Sequence, residues 1–130
     1  MEPPRKNILI VDDEPALLRM LGLYLTRMGY SVTTADGTDR AWAEVESRAG
    51  EYAVAVLDAT MRGLSTEALA SKLLAANPSL YVMVASGYPV DMTTLEAAGP
   101  GRVKFVQKPF TAQTLAGTIR RMIAAQEKDV

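Results

Sequence analysis

A chain of 130 residues, 48% of them hydrophobic, suits one domain with one buried core and excludes a disordered tail protein. The 14 Lys+Arg nearly balance the 15 Asp+Glu, so no broad basic field invites a nucleic-acid backbone or an anionic membrane, and neither is expected as a direct partner. The sequence holds no His and no Cys, which removes disulfides, the usual zinc sites, thiol nucleophiles and the commonest neutral-pH general base; chemistry must run on oxygen groups, Lys and a hard metal ion. The opening Met1-Glu2-Pro3-Pro4-Arg5-Lys6 is followed by no apolar segment long enough for a signal peptide. No run approaches the roughly 18 apolar residues that span a bilayer, so a cytoplasmic protein is expected.

From there, short apolar runs alternate with segments of helical period. Ile8 to Val11 reads as a strand. Leu17, Leu18, Leu21, Leu25 and Met28 then share one helical face, with Pro15 suited to the first turn and Gly29 to the exit. Ser31 to Ala35 is a β-branched strand closed by Asp36-Gly37, and Ala41, Trp42 and Val45 mark a second helix. Ala53 to Leu57 and Leu80 to Ala85 are continuous apolar runs, as expected of central strands covered on both faces. Between them Leu69, Leu73 and Leu74 define a third helix, capped by Ser65 or Thr66 and closed by Asn77-Pro78. Val90 to Ala98 is a fourth helix stopped at Gly99-Pro100-Gly101, and Arg102 to Val106 a fifth strand. Thr111 caps a last helix carrying Leu115, Ile119, Met122 and Ile123, and Gln126 to Val130 is a polar end expected to fray. Repeated strand-helix units argue for an α/β fold: a parallel sheet with helices on both faces, whose ligands sit beyond the carboxyl ends of the strands.

Those ends carry Asp12-Asp13-Glu14, Asp58, Ser86-Gly87 and Lys108-Pro109. Taken singly, each has a structural explanation, since acidic residues cap helices and Ser-Gly and Lys-Pro punctuate turns. Together they would bring carboxylates, a hydroxyl and an ammonium to one sheet edge. Asp12, Asp13 and Asp58 against Lys108 leave the charges unbalanced, and a divalent hard cation would neutralise the excess. All-oxygen ligation suits Mg²⁺, and a carboxylate nucleophile, a metal and a Lys together make a phosphoryl-transfer centre.

The ordered strings Ile8-Leu9-Ile10-Val11-Asp12-Asp13-Glu14, Val56-Leu57-Asp58, Val84-Ala85-Ser86-Gly87 and Gln107-Lys108-Pro109-Phe110 resemble the receiver domain of the two-component response-regulator family, across nearly the whole chain. The resemblance implies a flavodoxin-like (βα)5 doubly wound sheet of strand order 2-1-3-4-5, with one receiver domain over residues 1–130 and a core of about 6–125. By it, Asp58 is the phosphoacceptor and receives its phosphoryl group from a phosphohistidine on a sensor histidine kinase or phosphotransfer protein. Asp13, Asp58 and the carbonyl of Thr60 ligate Mg²⁺, and Asp12 holds it through water. Ser86 and Lys108 bind the phosphoryl group, the Lys108-Pro109 bond is cis, and Ser86 with Phe105 forms the switch. For Phe105, plain core packing is the equal alternative, and Leu115 reads as core or helix packing. Thr60 and Tyr88 occupy positions that in this family affect how quickly water removes the phosphoryl group. The Ala-Ser-Gly-Tyr and Gln-Lys-Pro-Phe strings look like receivers of hybrid sensor kinases, and a homodimer through the fourth and fifth helices stays open.

Departures from the family pattern fall in the loop after Asp58. Met61-Arg62 replaces the frequent Met-Pro, and Thr66 stands where the family often has Gly. Two other readings remain at this stage. A Mg²⁺-dependent phosphatase with an aspartyl-phosphate intermediate would want a second Asp two residues after its nucleophile, where this chain has Thr60. A vestigial interaction module would bind partners and take no phosphoryl group.

Overall fold

The computed structural model describes residues 6–48, 51–60 and 65–128, which leaves the Met61-Arg62 departure outside the described residues. Strands β1 (Asn7–Val11), β2 (Ser31–Ala35), β3 (Tyr52–Asp58), β4 (Tyr81–Ser86) and β5 (Val103–Gln107) alternate with α1 (Pro15–Arg27), α2 (Thr38–Arg48), α3 (Thr66–Ala76), α4 (Thr93–Ala98) and α5 (Ala112–Lys128). All strand pairs are parallel, in the order β2-β1-β3-β4-β5. The chain therefore has the flavodoxin-like doubly wound architecture.

Two apolar layers sandwich the sheet, because alternate residues of a strand face opposite sides. Leu9, Ala55, Leu57, Val82 and Val84 pack against Val45 of α2, Leu69, Leu73 and Leu74 of α3 and Leu95 of α4. Ile8, Ile10, Val54, Val56 and Met83 pack against Leu18, Leu21 and Leu25 of α1 and Leu115 and Ile119 of α5. Leu115 is thus a core residue. Coverage on both faces explains why β3 and β4 are apolar without alternation.

Several boundaries follow from local hydrogen bonds. The apolar face of α1 ends at Leu25; Met28 is the C-cap and 37% exposed, and Gly29 turns the chain at φ +100. Ser65 is the cap of α3, accepting from the Ala68 N–H at 3.0 Å. Helix α4 begins at Thr93, three residues later than the apolar spacing predicts, because Asp91 Oδ1 accepts both the N–H and the hydroxyl of Thr93, at 3.0 and 2.6 Å. Of the end expected to fray, Gln126 is instead held in α5, because its Nε2 donates to the carbonyls of Ala53 and Ser79 at 2.5 and 2.7 Å, while Asp129 and Val130 lie outside the described residues.

The strand order reverses between β1 and β3, so the crevice of the fold opens where these two strands end. Val11 and Leu57 are their last paired residues, and Asp12 and Asp58 follow directly.

Candidate functional site

Backbone hydrogen bonds continue each ladder just far enough to aim the residues beyond it. Asp12 N–H donates to Ala35 O at 3.1 Å, Ala59 N–H to Ala85 O at 2.9 Å, and Lys108 N–H to Ser86 O at 2.8 Å. Asp12 and Asp58 are only 4% and 3% exposed, whereas Asp13 faces solvent. One carboxylate oxygen from each of the three lies within 4.8 Å of the others. The donor set is all oxygen and carries excess negative charge, which fits a hard divalent cation.

Lys108 crosses from the end of β5 to join them. Its Nζ donates to Asp12 Oδ2 at 2.7 Å and stands 3.6 Å from Asp58 Oδ1. Burial draws the ammonium's pKa down, but the hydrogen bond and charge of Asp12, followed by those of Asp58, outweigh it and leave it raised. Lys108 is therefore charged throughout the neutral range. Asp12 Oδ1 accepts the Glu14 N–H at 3.0 Å, and the Glu14 side chain makes no cap on α1. Helix capping alone thus does not account for the acidic triplet.

Asp58 is held by two threonines. Thr60 donates to its Oδ1 through the main-chain N–H at 3.3 Å and the hydroxyl at 3.2 Å. The buried Thr66 hydroxyl donates to its main-chain carbonyl at 2.7 Å. The sequence marks Thr66 only as a departure and a helix cap, since a hydroxyl-to-carbonyl bond leaves no pattern in residue spacing.

Ser86 lies one residue past Ala85, the β4 partner of Asp58, and is 2% exposed; its Oγ accepts the Tyr88 N–H at 3.1 Å. Tyr88 itself is 75% exposed. Phe105 pairs with Val84 across β4 and β5 yet is 37% exposed, so its reading as plain core does not hold. The Lys108-Pro109 peptide bond is cis. Beside it a cavity of about 450 Å³ is lined by Glu14, Leu17, Lys108, Pro109 and Phe110.

Residues 8–120 match the response regulator receiver domain family. Among curated proteins, the chain is 30% identical over 122 residues to the DNA-binding transcriptional regulator NtrC of Rhizobium meliloti, covering 94% of this chain and 25% of that protein. It is likewise 30% identical over 122 residues to the sensor kinase CckA of Brucella abortus, covering 93% of this chain and 13% of that protein. The chain thus spans a quarter or less of these relatives. A solved CheY-like response regulator receiver domain protein from Methanospirillum hungatei superposes with a TM-score of 0.87 at 25% identity, covering 98% of this chain and all of that one. Fold, strand-end chemistry and these likenesses agree: the chain belongs to the response regulator receiver domain family of two-component systems.

Proposed function

We propose that residues 1–130 form a single receiver domain in which Asp58 accepts a phosphoryl group from a phosphohistidine on a sensor histidine kinase or phosphotransfer protein, and that the transfer switches a protein-interaction surface. The observation that carries this reading is the convergence of Asp12, Asp13, Asp58 and Lys108 from the ends of β1, β3 and β5. An Asp58 carboxylate oxygen attacks phosphorus, an acyl phosphate bond forms, and the phosphorus–nitrogen bond of the donor breaks with its electron pair staying on the imidazole. Asp12, Asp13, Asp58 and the carbonyl of Thr60 would hold Mg²⁺, Asp12 through water; bound there, the ion offsets charge developing on the phosphoryl oxygens. Lys108 contributes a second, permanent positive charge to those oxygens. Its two carboxylate contacts keep it at the site beforehand, so little reorganisation is required.

The switch follows from what the product adds. A phosphoryl group on Asp58 brings acceptor oxygens toward Ser86, whose hydroxyl otherwise meets only the Tyr88 N–H among its described contacts. Moving Ser86 inward vacates space beneath the half-exposed Phe105, and the β4–α4–β5 surface changes with it. Charge-assisted hydrogen bonds from Ser86 and Lys108, at about 1.5–3 kcal/mol each, are of the size such a population shift requires. The relatives suggest two settings, a transcriptional regulator like NtrC and a hybrid kinase like CckA.

Incubation with acetyl phosphate and Mg²⁺, followed by intact-mass measurement, tests the proposal. One phosphoryl mass is expected on the wild type and none on Asp58→Asn. Absence of an adduct on the wild type would leave the vestigial interaction module, and repeated turnover of phosphate esters would favour the phosphatase.

A further inference from the structure

The main-chain carbonyl of Asp58 sits just past the β1–β3 ladder, whose last pair is Val11 with Leu57. No main-chain N–H from the β1 side donates to it: the Asp12 N–H faces β2 and goes to Ala35, and the ladder does not continue through Asp13. A buried carbonyl without a partner is destabilising, and here the donor is the hydroxyl of Thr66, 8% exposed and 2.7 Å away. That hydroxyl is not occupied in capping α3, since Ser65 does so. Thr66 is also the first residue of α3, where Leu69, Ala70, Leu73 and Leu74 are buried, so the donor stands on a packed helix.

We infer that Thr66 is a positioning residue for phosphoryl acceptance. By holding the Asp58 carbonyl it fixes the backbone from which the carboxylate projects, while Thr60 fixes Oδ1 at the other end of the same residue. The inference rests on Asp58 being the phosphoacceptor. Small displacements of a reacting group cost rate steeply, so losing the Thr66 hydroxyl acts on transfer even where the fold survives.

The test compares wild type, Thr66→Val, Thr66→Ser and Ser65→Ala, measuring the acetyl-phosphate concentration dependence of adduct formation in Mg²⁺ together with the thermal midpoint. Thr66→Val removes the hydroxyl at nearly constant volume and is expected to lower the maximal rate about tenfold with little change in half-saturating acetyl phosphate. Thr66→Ser keeps the hydroxyl and is expected to restore the rate. Ser65→Ala weakens the same helix end without touching Asp58, and should lower the midpoint while keeping the rate. If Thr66→Val does not fold, Thr66→Ala is compared with Thr66→Ser instead. Wild-type rates in the hydroxyl-free variant, or equal slowing in Ser65→Ala, would overturn the assignment. A wild type that takes no phosphoryl group would instead sink the phosphoacceptor reading, and this inference with it.

Discussion

Lys108 compensates Asp12 and Asp58, two nearly buried carboxylates whose charges would otherwise face each other without a cation beside them. Replacing it with Met should destabilise the domain by about 1–3 kcal/mol at neutral pH, read from urea denaturation. The sign of the pH dependence follows from its raised pKa. A group bound more tightly as a cation in the native state contributes fully below its unfolded pKa, about 10.4 for Lys, and loses that contribution as pH rises through the higher native value. The gap between wild type and Lys108→Met should therefore be constant through neutrality and begin to narrow only above about pH 10.4. Narrowing near pH 7 would mean that the ion pair is not its source. At this scale the site was largely legible, because Asp12 and Asp58 each follow a run of apolar strand residues and Lys108 follows the mixed strand Val103–Gln107, and a parallel sheet delivers such positions to one edge. The exposure of Phe105 was not, since an apolar residue in a strand reads the same whether its strand lies inside the sheet or, like β5, at its edge.

Helix α4 shows where element boundaries escape periodicity. Apolar spacing extends it back to Val90, but the Asp91 carboxylate takes the Thr93 N–H and hydroxyl and starts the helix there. The same bonds hold the Asp91 pKa below its usual value, first through the Thr93 hydroxyl and then through its N–H. At its other end α4 closes against α3. A Cβ built on Gly99 would lie 2.8 Å from Leu74 Cδ2, and Leu74, 1% exposed, would have to shift within the core. Gly99→Ala should therefore cost about 1–3 kcal/mol by overpacking, measurable in denaturant and localised by hydrogen exchange to α3 and α4. An unchanged midpoint would show that the two helices can separate freely. Helix α5 errs in the opposite direction, because a polar Gln126 near its end signals fraying, while two carbonyls 73 and 47 residues earlier in the chain anchor it. Gln126→Ala leaves Ala53 O and Ser79 O without that donor, and exchange protection in the last turn of α5 should fall.

Across the molecule, the acidic cluster joins the ends of β1 and β3, strands that adjoin in the sheet but lie far apart in the chain. A cation bound there recognises only the folded arrangement, since an unfolded chain does not bring Asp13 and Asp58 together. Binding to the native state alone stabilises by about 2.7 kcal/mol at a hundredfold excess over Kd, so the thermal midpoint should climb by several degrees as Mg²⁺ is added in place of EDTA. Asp13→Asn separates the two roles of the cluster. Asp13 is exposed, and losing its charge relieves repulsion by no more than about 1 kcal/mol, so in EDTA the variant should match or slightly exceed the wild type. Its response to Mg²⁺ should be much flatter, because one of the three carboxylates becomes a neutral amide, a weaker ligand for a hard cation. Equal Mg²⁺ shifts in both proteins would place the cation elsewhere, and no shift in the wild type would mean that the carboxylates balance their charge through Lys108 alone.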